Sequence, residues 1–415
     1  MKKVSQNNQN SGENKINKRK FIVMDIVFYG SSLNYDQGSG NLQELKKITR
    51  WDGKEYTLVS RYALRYSLLK TGEQLGLWKL APGEILERSR GEGEGKTVIQ
   101  PSIKTLLSGE ILKYPDYDFF GYLITGTTPQ NSREAPVKIS HAISMTPYNY
   151  DSHFAGNLDL ARRMVEAGKA EKMDPNLFTI EEHQTYYVYT VVIDVDRIGK
   201  NEVYLAKKEG SNWEVDVEWD NNKKINIKKA KNEEIVGEYN NFDQDVEISY
   251  NVLNSIHKFE QTLKNLENVK KEKIKNLIKT ILNLNREIKA RKEILHPKLL
   301  ILGLYEGSYQ TFKDRIRLSN AYEEIYEEER IPDENNENKI KIIKRIIKLN
   351  KPVFEIVGGI NAKNWTDKNK QPPIIDEKEI LEGQNNKKSK IDEFLNNGEE
   401  GIYVYRAPEI EVKET

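Results

Sequence analysis

The sequence predicts an α+β fold with enlarged connections, and three observations predict it. FIVMDIVFYG, from Phe21 to Gly30, is an apolar run broken only by Asp25, the mark of a strand covered on both faces. VSRYALRYSLLKTGEQLG, from Val59 to Gly76, has helical spacing, with Leu64 and Leu68 four apart. TYYVYTVVIDVD alternates Tyr187, Tyr189, Val191, Ile193 and Val195 on one face, as a half-buried strand does.

Residues 1–19 are polar, basic and free of aromatics, so they read as a disordered basic tail. After the first strand comes the loop SSLNYDQGSGN, and then the helix, with Ser60 as N-cap and Gly72 as its stop. Arg61 and Arg65 share one helix face, and so do Tyr62 and Tyr66. DFFGYLITG and PVKISHAIS are further strand candidates. From Asn201 the chain turns polar, with a hairpin expected around Asn221 and Asn222. Val252, Ile256, Phe259, Leu263 and Leu266 then step by four and three, which predicts a Lys-rich helical arm running on to Ile288. Strands return at KLLILGLYEG and PVFEIVGGI, with a charged helical stretch at KIIKRIIKL between them; the polar last fifty residues add one short strand, GIYVYRA. The order strand, helix, strands, long excursion, strands suits a ferredoxin-like sheet domain over 20–360, followed by a C-terminal polar segment over 361–415.

With 415 residues, 31% charged, and no cysteine, the chain excludes disulfides, thiolate zinc sites and thiol nucleophiles. It has no run of about 18 apolar residues and no apolar signal core, so we expect a cytoplasmic protein without membrane association. The formal net charge is only +1, but residues 1–75 hold thirteen Lys plus Arg against seven Asp plus Glu, so a basic face sits on a neutral whole.

RSRGEGEGKTVIQ lacks a phosphate loop's first glycine, since Arg90 stands in its place, and it reads as a surface loop. His141, His153, His183, His257 and His296 are scattered without metal-ligand spacing; no metal and no cofactor is expected. Ser140 and Ser144 fall on the strand face opposite His141, which disfavours a serine nucleophile. The Ser60 helix start, with Arg61 and Arg65 beside it, is suited to phosphate. Tyr148, Tyr150, His153 and Phe154, on a Gly-ended loop, are residue types that stack on or insert beside unpaired bases, and Arg133 lies just upstream.

Three stretches in this order, SSLNYDQGSGN, VSRYALRYSLLK and DYDFFGYLITGTTPQNSREAPVKISHAISMTPYNYDSHFAGNLDL, followed by YYVYTVVIDVDRIG, resemble the CRISPR-associated backbone subunit of the Cascade surveillance complex, in its type I-B, DevR-like branch. The resemblance covers roughly 20–200 and implies a palm of RNA-recognition-motif topology with a protruding thumb, about 147–186, and a variable insert, about 201–295. It implies a non-enzymatic protein whose copies stack head to tail on a crRNA guide with other Cascade subunits, and present the guide for pairing with target DNA. It places RNA contacts on Asn34, Ser60, Arg61, Tyr62, Arg65, Phe120, Gly121, Arg133 and His141, and base displacement on Tyr148, His153 and Phe154. Two alternatives stay open: an RNA endonuclease using Asp36, and a DevR-type transcriptional regulator.

Overall fold

The computed structural model describes residues 18–38, 40–90, 97–207, 209–210, 214–219, 223–229, 235–237, 243–253, 255–319, 322–331, 339–349, 351–383 and 388–415. Most of the basic tail, the glycine-rich part of RSRGEGEGKTVIQ and the Asn221–Asn222 tip lie outside the described residues. The strands Glu214–Trp219 and Lys223–Lys229 that flank the tip pair antiparallel.

Six elements build the palm: β1 (Lys20–Ser31), α1 (Arg61–Gln74), β2 (Ala142–Ser144), β3 (Gln184–Asp194), α2 (Leu266–Leu282) and β4 (Pro297–Glu306). The strands lie in the order β4-β1-β3-β2 with every neighbour antiparallel, which is the ferredoxin-like arrangement. Beyond β4 the sheet gains β5 (Gly401–Arg406), and beyond β2 it gains Glu55–Val59 and Lys47–Thr49. No described helix is long and apolar enough to cross a membrane.

The alternation along β1 and β3 sorts the two faces. Ile22, Met24, Ile26 and Phe28, with Tyr187, Tyr189, Val191 and Ile193, pack against Leu64 and Leu68 of α1 and Ile274, Leu277, Ile278 and Ile281 of α2. The last four follow i, i+3, i+4, i+7, so one stripe of α2 is apolar. On the opposite face Val27, Leu299, Ile301 and Val404 are covered by Phe312, Phe354, Ile356 and Trp365. Asp25 belongs to that second face and is 0% exposed. The Thr190 hydroxyl donates to its carboxylate at 2.5 Å and the Phe312 N–H at 2.6 Å, which satisfies the break in the apolar run. Later chain therefore closes over much of the face that a standard RNA-recognition motif leaves open.

Several expectations are corrected. The predicted arm from Val252 is two strands, Val246–Leu253 and Ile256–Leu263, and only then α2; beyond it Asn285–Ile288 and Arg291–Ile294 form a hairpin. In Ile256–Leu263 the buried positions are His257, Phe259, Gln261 and Leu263, a period of two. KIIKRIIKL lies in a strand, Lys339–Leu349, paired with Tyr322–Ile331. DFFGYLITG contains a short helix end and only the strand Tyr122–Ile124, while PVKISHAIS is two strands broken at Ser140 and His141. Gly72 does not stop α1: the ring of Trp78 fills the space where its Cβ would stand, and Gly76, at φ +69°, takes the left-handed turn beyond the helix.

Candidate nucleic-acid interface

The loop after β1 and the start of α1 are stitched into one unit. The Asn34 side-chain oxygen accepts the Ser60 N–H at 2.9 Å, the Ser60 hydroxyl accepts the Ala63 N–H at 3.2 Å, and the His141 Nδ1 accepts the Arg61 N–H at 3.0 Å. His141 is thus the Nε2–H tautomer. Burial, then the charges of Arg61 and Lys313, hold it below its ordinary value. These three amides are engaged inside the chain and are not offered to an anion. The hairpin 285–294 braces the loop from behind: the Arg286 guanidinium donates to the Leu33 carbonyl at 2.7 Å and to the Ser67 hydroxyl at 3.0 Å.

Arg61 and Arg65 line a groove of about 400 Å³ with Tyr62, Phe120, Val137, Lys138 and Ile139. Arg61 lies over the Tyr62 ring at 5.0 Å and donates to its hydroxyl at 2.9 Å. Arg65 lies over the Phe120 ring at 4.8 Å and donates to the Asp116 carbonyl at 3.1 Å. Among the described residues neither guanidinium forms an ion pair with a carboxylate; Arg65, whose basicity burial lowers, feels the Asp116 charge from nearby. Tyr62 is 65% exposed beside them. Gly121 has φ +71°, and a Cβ there would stand 2.1 Å from the Arg133 carbonyl oxygen, so glycine lets Phe120 turn toward the groove. Lys138, which the sequence reading missed, lines the same groove and pairs with Glu134 at 2.5 Å.

Arg133 does not reach the groove. Its side chain is buried and donates to the Asp118 carboxylate at 2.8 Å, to the carbonyls of Asp118 and Arg197 at 3.0 and 2.8 Å, and to that of Lys200. Asp118 also takes Lys273 at 2.7 Å and the Gly199 N–H at 2.9 Å. Arg133 is the hub of a structural network and offers nothing to a phosphate.

The loop after β2 opens into an arm. Ser152–Gly156 pairs antiparallel with Leu177–Glu181, and Leu158–Glu166 forms a helix between them, capped by Asn157. Phe154 is 68% and Tyr150 71% exposed, and Leu158, Leu160 and Met164 are exposed on the helix. His153 is exposed and lies 3.7 Å from the Glu182 carboxylate. Tyr148 sits at the root of the arm: its N–H donates to the Glu55 carbonyl at 2.7 Å, and Lys47 lies 4.7 Å from its ring centre. Burial pushes its hydroxyl up to about 12. Glu181, also missed, locks this root, accepting the Leu45 N–H at 2.8 Å and Lys47 at 2.7 Å. Leu177–Glu181 lies parallel to Leu42–Gln43, so the arm and the loop carrying Asn34 are hydrogen-bonded together. Asp36, in that loop, is exposed; the Gln37 N–H and Lys46 hold its carboxyl below the ordinary range.

A family model described as the CRISPR-associated negative auto-regulator DevR/Csa2 matches residues 22–326. No curated protein matches. Among solved structures, a chain of a "CRISPR RNA-guided surveillance complex, pre-nicking" superposes with a TM-score of 0.40 at 9% identity, over 71% of this chain and 81% of that one. A chain of a "CRISPR RNA-guided surveillance complex" gives 0.33 at 11% identity, over 71% and 73%. One of a "Type IV-B CRISPR Complex" gives 0.24 at 16%, over 42% and 73%. The family match takes in β1, the Asn34 loop, α1, the arm, β3, α2 and β4, and on it the chain belongs to the CRISPR-associated DevR/Csa2 family.

Proposed function

We propose that this chain is the guide-binding backbone subunit of a type I-B Cascade complex, polymerising along crRNA and presenting it for pairing with target DNA. Membership of a CRISPR-associated family supports the setting. The observation that carries the reading is the pair Arg61 and Arg65, held over aromatic rings at one groove without carboxylate partners among the described residues. Phosphates carry no sequence information, so such a groove grips any guide and leaves recognition to base pairing. Asn34, Ser60 and His141 position Arg61 from within, and Tyr62 and Phe120 complete the wall. The arm, with Tyr150 and Phe154 outermost, has the reach and chemistry to enter a neighbouring copy and displace a base. On this reading the chain has no catalytic step of its own.

The test is purification of the full chain from its host with all companions attached, followed by extraction of nucleic acid. RNA of uniform length, released in proportion to the chain, is the expected result. Absence of RNA overturns the proposal, and sequence-specific duplex DNA binding by the lone chain points instead to a transcriptional regulator.

A further inference from the structure

We propose that the nucleic-acid path does not end at the α1 groove but rounds the sheet edge at His141 and continues onto a second site, where Trp51 stacks a base and Lys313 and Arg317 hold phosphate. This rests on the guide-binding reading and extends it to single-stranded nucleic acid on the other side of the palm.

The second site is a cavity of about 180 Å³ lined by Arg50, Trp51, Tyr56, Met145, Lys313 and Arg317. Trp51 stands at the tip of a tight turn, closed by Gly53 donating to the Arg50 carbonyl at 3.0 Å, and is 90% exposed. An indole so placed contributes nothing to the core, while its face is open for stacking. Arg50 lies over the Tyr56 ring at 5.0 Å. Among the described residues Arg317 donates to the carbonyls of Asp314 and Ile316, at 2.6 and 3.2 Å, and pairs with no carboxylate. Two carboxylates also border the cavity. Asp52 is taken by the Tyr56 hydroxyl at 2.6 Å and the Lys54 N–H at 3.1 Å, and Asp314 lies at 4.0 Å from Lys313.

The two sites are joined by one short stretch of chain. Ile139 lines the first groove and Ile143 the second. Four extended residues span about 13 Å. Val137–Ile139 pairs only with β3 among the described residues, so its outer edge is open, and the strand breaks at Ser140 and His141 before β2 begins. His141, at the break, is held below its ordinary value by burial first and then by the charges of Arg61 and Lys313, one cation from each site. An aromatic platform flanked by cations, reached from a cationic groove, fits a single-stranded polyanion.

The experiment titrates the full chain with a fluorescein-labelled single-stranded RNA of mixed sequence at several salt concentrations. Variants are Trp51→Ala, Trp51→Phe, the pair Lys313→Ala with Arg317→Ala, and the pair Arg61→Ala with Arg65→Ala. We expect Trp51→Ala to weaken binding about 5-fold or more, with Trp51→Phe close to the parent. The Lys313 and Arg317 pair should flatten the slope of log K against log salt by about 1.4. Parent-like binding by the Trp51 and Lys313/Arg317 variants, with loss on changing Arg61 and Arg65, overturns the second site and leaves the first. RNA binding retained by Trp51→Ala but a companion subunit lost identifies a protein contact and overturns it as well. No RNA binding by the parent overturns the guide-binding reading itself.

Discussion

The Asn34 carboxamide oxygen accepts the backbone N–H of Ser60 at 2.9 Å, across 26 residues of sequence. Asn34 therefore sets where α1 begins, and the Ser60 cap and the His141 bond to Arg61 set how its first arginine points. Replacing Asn34 by Ala removes one acceptor and should cost about 1 kcal/mol in chemical denaturation. Asn34→Asp keeps the acceptor and adds a negative charge beside the groove. It should hold stability near the parent while lowering RNA affinity, a split that a Kd measured next to a melting curve would reveal.

Arg61→Ala with Arg65→Ala should lower guide retention without unfolding the chain, and should reduce the salt slope of RNA binding by about 1.4 for two lost phosphate contacts. Arg65→Lys keeps the charge but gives up planar stacking on Phe120, so it should fall between the two. Unchanged RNA content in the double variant removes these arginines from the interface.

Asp25 couples stability to pH. Burial raises its carboxyl above the ordinary value, against the bonds from Thr190 and Phe312. A raised acid stabilises the fold fully below its unfolded value near 3.9, and that contribution is lost as pH rises through the folded value. Asp25→Asn can accept from Phe312 and donate to Thr190, so it should fold well and lack this dependence. Asp25→Ala leaves the Phe312 N–H buried and unpaired, a loss of about 1–3 kcal/mol by urea titration at neutral pH.

Arg133→Ala should cost about 1.5–3 kcal/mol, because it removes the buried charge-assisted bond to Asp118, which keeps Lys273 and the Gly199 N–H, and leaves the Arg197 and Lys200 carbonyls without their donor. The readout is denaturant midpoint, and RNA affinity of the surviving folded fraction should match the parent. A variant that folds normally but loses RNA would return Arg133 to the interface.

Asp36→Ala tests the nuclease alternative. The assembled complex, incubated with complementary RNA, should leave it intact whether or not Asp36 is present. Regularly spaced cuts that disappear in the variant would make Asp36 catalytic.

The palm was legible because its signals are local. Leu64 with Leu68, and Tyr187 through Ile193, carry their periods in adjacent residues, and the buried faces follow them. The strand Ile256–Leu263 was misread because two of its buried positions are polar. His257 and Gln261 hide the period of two, and Gln261 is satisfied by the carbonyls of Leu106 and Leu107, more than 150 residues away. Arg61, Arg65 and Tyr62 were legible as neighbours on α1, whereas Phe120 was placed beside a groove only by the family resemblance; the structure brings the four together. Arg133 was not legible, since its exposure depends on Asp118 and on the Lys200 and Arg197 carbonyls. Glu181 gave no signal, because the amide it holds, Leu45, is distant in the chain.

Glu181 also decides what kind of tool the arm is. Clamped at its root to Leu45 and Lys47, and edged by Leu42–Gln43, the projection is a bracket and not a tether. A bracket has a fixed span, so the reach of Tyr150 and Phe154 from the palm is written into the polypeptide.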